Sequence, residues 1–290
     1  MNKLFVFLLL LPSLAVCQQG DTTQIVNRRK LTAFVIGGSV GYGLTLVALK
    51  ELWYDDVPRQ DFRFFNDNAE WKQVDKLGHL YSAFYLSAGT AHVLRECNVP
   101  THKANAIGSL VGFGLMVPIE ILDGFSSGYG ASAGDLLANA GGAALFYGQS
   151  ALWKEIRIYP KFSFHRTSYA QIRPNILGDG PVSEMFKDYN GQTYWLSMDV
   201  DKFFRFPRWL NIAVGYGAEG MVYARDEQNV QAGFPPAYRQ YYLSLDFDLR
   251  AIKTNSKAVK TLLAFVSMVK LPSPTLEFST KGVKFHPFYF

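Results

Sequence analysis

Four long segments without a charged side chain lie in the first half of the chain, and they constrain its fold more than any other feature. They cover residues 31–49, 80–94, 104–119 and 136–153. A helix needs about 20 predominantly apolar residues to span a bilayer. The first segment reaches that length, whereas the others need flanking polar residues or neighbouring helices. The pattern predicts a bundle of about four apolar helices at 31–155, which we expect to lie in a membrane.

Small residues recur along the first of these segments. Gly37 and Gly41 lie four positions apart, as do Ser39 and Gly43, so each pair shares one side of a helix. Small side chains allow two helices to approach closely within a membrane. In a helix exposed to water, each glycine would cost about 1 kcal/mol relative to alanine. The glycine-rich sequence therefore favours lipid around the bundle.

The chain begins with a pattern typical of a secretory signal, in which Lys3 precedes an apolar run at 4–11. We favour simple cleavage after Cys17, which defines a signal peptide at 1–17 and a polar segment at 18–30. The alternative is a lipoprotein signal with an acylated Cys17, but a bulky residue stands directly before it, where a small one is usual. Both alternatives place the mature protein in the cell envelope and leave the inner and the outer membrane open.

The sequence changes character near residue 156. Apolar side chains occupy alternate positions of 241–249, which predicts a half-buried β-strand. Shorter alternations occur at 194–200 and 212–216. Apolar residues at helical spacing within 259–269 predict one amphipathic helix among the strands. We therefore predict an antiparallel β-rich domain at 156–290 that carries this helix, and an α+β fold for the whole chain.

Aromatic residues before the terminal Phe290 raise the alternative of an outer-membrane barrel. Stepping back by two positions from Phe288 places His286 and Lys284 on the same face of the strand, which would then be polar. The candidate strands also number fewer than about eight, the count in the smallest such barrels. The sequence therefore does not favour a barrel.

Composition excludes several classes of protein. Hydrophobic residues make up 49% of the chain, aromatic residues 15% and charged residues 18%, which excludes a disordered chain. The net charge of +5 is small for 290 residues and the basic residues are scattered, so nucleic acid is not an expected partner. Membrane lipid is the expected partner, and an envelope protein is a further candidate.

Three pairs of polar side chains stand at the ends of the last three apolar segments. The spacing of three or four residues within each pair puts its members on one side of a helix. If neighbouring helices are antiparallel, chain connectivity brings all three helix ends to the same side of the bundle. We therefore predict a helix-end polar cluster. Its members are Asp75, Lys76, His79, Glu120, Asp123, Asp135 and Asn139.

These residue types suit two kinds of chemistry. Asp75 can orient and charge the imidazole of His79, which predicts a catalytic acid/base pair. Glu120, Asp123 and Asp135 offer oxygen ligands for a divalent metal ion, for which Mg²⁺ or Mn²⁺ is expected before Zn²⁺.

A structural role is the competing interpretation. Ser132 and Asp135 are spaced like a capping box, so they would cap the helix that follows. Lys76 would pair with Glu120 or Asp123 and so allow the charged groups to be buried. We favour this interpretation, in which the polar cluster orders the bundle.

Three motifs follow one another along the helical half: Asp75-Lys76-x-Gly78-His79, Glu120-x-x-Asp123-Gly124, and Ser132-x-x-Asp135-Leu136-x-x-Asn139. In this order they resemble the YfiM-like family of unknown function, which is distantly similar to VanZ-like membrane proteins. The resemblance covers about 31–153 by motif order, and the rest of the chain resembles the extension of the family's longer members. It implies an envelope location and a set of motif residues, without an established activity.

Two hypotheses for function follow. The first is an exported cell-envelope membrane protein without catalytic activity, whose β-rich domain contacts a partner or the membrane. The second is a metal-assisted or acid/base hydrolase that acts on an amphiphilic envelope substrate. We favour the first, because polar groups at helix ends can satisfy one another.

Overall fold

A computed structural model describes residues 25–54 and 57–290 of the protein. The signal peptide predicted at 1–17, with the candidate lipidation site Cys17, lies outside the described residues, as does most of the polar segment at 18–30. Long helices come first and a six-stranded antiparallel sheet follows. The predicted α+β class is therefore confirmed.

Each apolar segment of the first half forms one long helix. In chain order these are α1 (Arg28–Trp53), α2 (Val74–Glu96), α3 (Thr101–Gly124) and α4 (Ala133–Trp153). Glycines bring α3 and α4 against the backbone of α2. A Cβ on Gly112 would lie 2.5 Å from the Ser87 nitrogen, and one on Gly142 would lie 2.1 Å from the Leu80 oxygen. No side chain larger than hydrogen fits at either contact.

The prediction of about four membrane helices is wrong, because only two helices of the described chain are long and apolar enough to cross a membrane. These are Arg28–Glu51, with a mean hydropathy of 1.7, and Thr101–Gly124, with 1.6. In contrast, α2 packs against α3, α4 and the sheet, so its apolar residues are buried by protein. The fourth helix buries the polar side chains of Asn139 and Gln149, which lower its hydropathy.

Six strands form one sheet in the order of the chain, and every neighbouring pair is antiparallel. They are β1 (Ile158–Phe164), β2 (Gln192–Met198), β3 (Leu210–Glu219), β4 (Tyr238–Phe247), β5 (Ser273–Ser279) and β6 (Gly282–Tyr289). Shorter helices lie between the strands, namely α5 (Tyr169–Ile172), α6 (Pro174–Leu177), α7 (Pro181–Lys187), α8 (Asp226–Gln231) and α9 (Lys257–Val266). The amphipathic helix predicted from the sequence is α9. The domain boundary at 156 stays a prediction.

Contacts between distant strands show that the sheet is rolled. Lys161 in β1 forms an ion pair with Asp246 in β4, with 2.5 Å between Nζ and Oδ2. The free edge of β1 is also occupied, because the backbone of Phe162 exchanges hydrogen bonds with Met268 and Lys270, which precede β5. The sheet therefore curls around an interior that its first and later strands share.

Polar and apolar side chains are distributed on this rolled sheet in the reverse of the usual way. In β4, Leu243 and Leu245 are 44% and 41% exposed, whereas Ser244 and Asp246 are 4% and 0% exposed. The alternation at 241–249 thus predicts a strand correctly, but the buried side is the polar one. The physical reason is that curvature lets polar groups from several strands hydrogen-bond to one another inside the sheet. Other buried polar residues of the interior are Lys161, Ser163, Thr193, Ser197, Asn211 and Thr275.

A β-bulge in β6 overturns the sequence argument about the faces of this strand. Its register against β5 shifts between His286 and Tyr289, and the extra residue interrupts the alternation of side chains. Phe285 and Phe288 are 59% and 77% exposed. His286 instead lies 2.8 Å from Glu277, measured from Nε2 to Oε2. The outer face of β6 is therefore apolar.

Lys270 is buried inside the rolled sheet, with Nζ 4.9 Å from the centre of the Trp195 ring. Burial, helped by the charge of Lys161 and opposed by Asp246, lowers the pKa of Lys270 from 10.5 to about 8. Between these pH values the unfolded chain binds a proton that the folded chain has released, so the free energy of unfolding rises with pH. We expect this group to contribute a slope of at most about 1.4 kcal/mol per pH unit.

The variant Lys270→Met should lose this slope. The free energy of unfolding of the variant should exceed that of the wild type most at neutral pH, and this difference should decline towards about pH 10.5. Chemical unfolding in detergent at a series of pH values would measure it. Lys253→Met is the matched control, because Lys253 is exposed. Parallel pH profiles for the wild type and Lys270→Met would show that the buried ammonium has no such effect.

Candidate functional site

The predicted helix-end cluster forms where α2 begins, α3 ends and α4 begins. The helices are arranged as connectivity suggested, so residues distant in sequence lie in direct contact. Asp123 lies one turn further along α3 and faces a different partner. The residues that the structure brings together are Asp75, Lys76, His79, Glu120, Asp135 and Asn139.

Lys76 supplies an ammonium group to three carboxylates. Its Nζ lies 2.9 Å from Asp67, 3.3 Å from Asp75 and 3.0 Å from Asp135. The sequence suggested Glu120 or Asp123 as its partner, and the structure pairs it with other acids. Burial opposes the charge of Lys76, but the surrounding carboxylates raise its pKa above the usual range.

His79 projects from α2 towards α3 and α4. Its Nδ1 lies 3.2 Å from Oδ1 of Asn139 and 3.5 Å from Oε1 of Glu120, and its Nε2 lies 4.0 Å from Oδ2 of Asp135. Burial lowers the pKa of His79 and favours the neutral ring, although the charge of Asp135 opposes this. The imidazole is oriented by residues on the neighbouring helices, whereas the predicted partner Asp75 contacts Lys76.

The acidic side chains of the cluster differ in how readily they ionise. Burial raises the pKa of Asp75 to about 7, with Asp135 and Asp67 adding to the rise and Lys76 opposing it. The pKa of Asp135 is also raised by burial, against the effects of His79 and Lys76. Burial would raise the pKa of Asp67 as well, but hydrogen bonds from Ser132 and Lys76 lower it. The cluster can therefore hold a proton on Asp75 near neutral pH.

Ser132 connects three parts of the site. Its hydroxyl accepts a hydrogen bond of 3.1 Å from the Asp135 nitrogen, which confirms the Ser132 half of the predicted capping box. The same hydroxyl donates to Asp67 at 2.6 Å, and the Ser132 nitrogen donates to Oε2 of Glu120 at 3.1 Å. This serine therefore holds the start of α4 against the end of α3 and against the loop before α2.

Two residues of the site could not be found from the sequence, namely Asp67 and Tyr54. Asp67 lies in the connection between α1 and α2, where no periodic pattern marks it. The backbone of this connection runs beside the loop between α3 and α4, with hydrogen bonds from Arg63 N to Gly124 O (3.0 Å) and from Ala131 N to Arg63 O (3.1 Å). This long-range pairing brings Asp67 to the cluster.

Asp123 is held away from the other acids by Tyr54, whose hydroxyl donates a hydrogen bond of 2.5 Å to Oδ1. The sequence predicted a metal site of Glu120, Asp123 and Asp135. In the described part of the chain, two groups have ligand atoms within 4.8 Å of one another. Asp123 belongs to neither. The groups are His79 with Glu120 and Asp135, and Asp67 with Asp75 and Asp135.

Comparison with known proteins bears on location. Residues 61–150 match the model of a family described as a predicted periplasmic lipoprotein (DUF2279). This range contains the whole helix-end cluster, together with Asp67. The protein is accordingly located in the cell envelope and associated with a membrane, which confirms the predicted location. No curated protein and no solved structure matches the chain.

Proposed function

We propose that this chain is a structural protein of the cell envelope, held in a membrane by α1 and by the apolar outer face of the rolled sheet. The helix-end cluster orders the bundle and attaches the loops to it. The likeness of its motifs to the YfiM-like family supports a location in the envelope. Membrane lipid is the partner that this proposal requires.

The reversed sheet is the observation that carries the proposal. Apolar surface in contact with water costs about 25 cal/mol per Å² relative to burial, so a soluble sheet hides such residues. Strands that contact lipid alternate with apolar side chains outward and polar side chains inward, as the later strands of this sheet do. Exposed apolar residues of β4, β5 and β6 include Leu243, Leu245, Leu276, Phe278, Phe285 and Phe288.

Two helices support a contact with lipid independently. None of the apolar window of Arg28–Glu51 in α1 is buried in the protein, so lipid is the environment that would cover it. In α9, Val259, Leu262 and Phe265 follow at three-residue intervals and are all exposed. An exposed apolar stripe on a short helix is typical of helices that lie in the membrane interface.

The cluster contributes to this role by fixing the bundle at one end. Lys76 joins α2 to α4 through Asp135 and to the preceding loop through Asp67. Ser132 joins the same loop to α4. These contacts are more numerous than a single helix cap requires, and they hold the helical half in a defined arrangement beside the sheet.

A fluorescent probe on the sheet tests the proposal. In Leu243→Cys carrying an NBD fluorophore, reconstitution into phospholipid vesicles should shift the emission to the blue. Lipids with brominated acyl chains should quench the fluorescence strongly, because the side chain at this position faces outward from β4. The native Cys97 is buried, so labelling can be directed to the introduced thiol.

Glu227→Cys is the matched control, because Glu227 is exposed on the short helix α8. Its probe should keep an aqueous emission maximum and should be quenched by iodide from solution. Equal quenching by brominated lipid at both positions, or none at position 243, would refute a lipid contact of the sheet.

The mass of the mature N-terminal peptide from membrane fractions distinguishes the two ways of processing. A peptide that begins at Gln18 indicates simple cleavage, which the flanking residues favour. A diacylglyceryl group on Cys17 indicates lipoprotein processing, which the description of the matched family favours. In either case the proposal has α1 attach the chain to the membrane.

A further inference from the structure

The helix-end cluster contains more negative than positive side chains. Lys76 is the one lysine or arginine in it, and its contacts are with Asp67, Asp75 and Asp135. Glu120 lies on the other side of Asp135, next to the ring of His79. The ammonium therefore lies among the first acidic group, which is Asp67, Asp75 and Asp135. The second group is His79, Glu120 and Asp135, and among the described residues it has no lysine or arginine of its own.

Glu120 carries an unpartnered oxygen in this second group. Its side chain is 3% exposed, and its Oε1 accepts no hydrogen bond from any residue that the structure describes. The other oxygen, Oε2, accepts from the Ser132 nitrogen. A buried carboxylate oxygen without a partner costs several kcal/mol in order of magnitude. Oε1 lies 3.5 Å from Nδ1 of His79, so the unpartnered oxygen lies inside the cluster.

The hydrogen bonding of His79 leaves one ring nitrogen for a ligand. Its Nδ1 lies 3.2 Å from Oδ1 of Asn139; because a carbonyl oxygen accepts, a hydrogen bond between them needs the proton on Nδ1 and leaves the lone pair on Nε2. That nitrogen faces Oδ2 of Asp135 at 4.0 Å. Histidine ligands of metal ions commonly have the second nitrogen fixed in this way by an oxygen acceptor.

The spacing of the three side chains suits one ion. Ligand atoms at about 2.1 Å from a metal lie roughly 3.0 to 4.2 Å from one another. The candidate ligand atoms of His79, Glu120 and Asp135 all lie within 4.8 Å of one another. Small side-chain rotations would bring them to a common centre. Each residue comes from a different helix, so a bound ion would join α2, α3 and α4.

We propose that His79, Glu120 and Asp135 bind one divalent metal ion, either Mn²⁺ or Zn²⁺, between the ends of the three helices. An imidazole with two carboxylates suits these ions better than Mg²⁺, which prefers oxygen ligands alone. The first acidic group, around Asp67 and Asp75, does not take part because Lys76 fills it. This proposal does not depend on the contact of the sheet with lipid.

Metal binding to the purified full chain tests the proposal. The chain is stripped with a chelator in detergent and titrated separately with MnCl₂ and ZnCl₂, and bound metal is measured by elemental analysis. The wild type should bind about one ion per chain, and Glu120→Gln should bind it more than about 100-fold more weakly. Glutamine keeps an oxygen that can accept from the Ser132 nitrogen, so this change spares that contact.

Asp123→Asn is the matched control, since it removes a carboxylate from the same end of α3 but leaves the three proposed ligands intact. It should bind the ion as the wild type does. The proposal is overturned if the wild type binds neither ion at micromolar concentration, if Glu120→Gln binds like the wild type, or if Asp123→Asn loses binding to the same extent.

A spectroscopic measurement on the wild type keeps the proposal testable even if a variant fails to fold. Mn²⁺ bound to the unaltered chain should show coupling to the nitrogen of one imidazole in pulsed electron paramagnetic resonance. His79→Gln should abolish this coupling, with circular dichroism as the check on folding. Bound Mn²⁺ without nitrogen coupling in the wild type would exclude His79 as a ligand.

Discussion

Replacing Gly142 with alanine is expected to lower the free energy of unfolding by about 3 kcal/mol, the upper end of what overpacking usually costs. The added Cβ would lie 2.1 Å from the backbone oxygen of Leu80 and 3.0 Å from the backbone nitrogen of Phe84. Neither atom is at the end of a flexible side chain. To make room, α4 must move away from α2, and this movement would also separate Asp135 from Lys76.

The adjacent glycine gives the matched control. A Cβ on Gly141 would meet one methyl carbon of Leu80 at 3.9 Å, which is ordinary contact. Gly141→Ala should therefore raise the free energy of unfolding by up to about 1 kcal/mol, the usual gain of alanine over glycine within a helix. Thermal and chemical unfolding in detergent would measure both variants. The same stability change in both would mean that α2 and α4 do not approach as closely as described.

Lys76→Met is expected to lower the free energy of unfolding by about 3–5 kcal/mol, because it leaves partly buried carboxylates without their cation. Three acids lie within 3.3 Å of its Nζ. The side chain of methionine is similar in length, so packing changes little while the charge is lost. Chemical unfolding of the purified chain at neutral pH would measure the loss.

Two further variants identify the cause of that loss. Lys103→Met removes an exposed lysine at the start of α3 and should change stability by less than about 0.5 kcal/mol. Adding Asp75→Asn to Lys76→Met should restore part of the stability, because one of the unpaired carboxylates is then neutral. If Lys76→Met is as stable as Lys103→Met, the ammonium does not hold the cluster together.

The sequence allowed the helix ends to be placed together before any contact was known. Antiparallel neighbours joined by short connections must bring the end of α3 and the beginnings of α2 and α4 to one side. Which side chains contact one another within that region could not be predicted from the sequence. Lys76 contacts Asp67 through a loop that pairs with another loop, and backbone pairing of this kind leaves no periodic pattern in the sequence.

Strands were predictable from alternation, but their orientation was not. An alternating sequence specifies two faces and does not state which of them is buried, because that depends on what lies on each side. In β4 the inner side is occupied by polar groups from other strands, such as Lys161 against Asp246. In β6, a bulge near His286 changes which residues share a face.

The amino-acid sequence by itself determined the long helices of the first half, several of the later strands with the amphipathic helix among them, the export pattern and the side of the bundle at which ionisable groups gather. These properties depend on local periodicity and on the lengths of connections. The tertiary structure alone decided that the sheet is polar inside and that His79 faces Glu120 and Asp135. These properties depend on which surfaces cover one another, and such contacts join residues far apart in the chain.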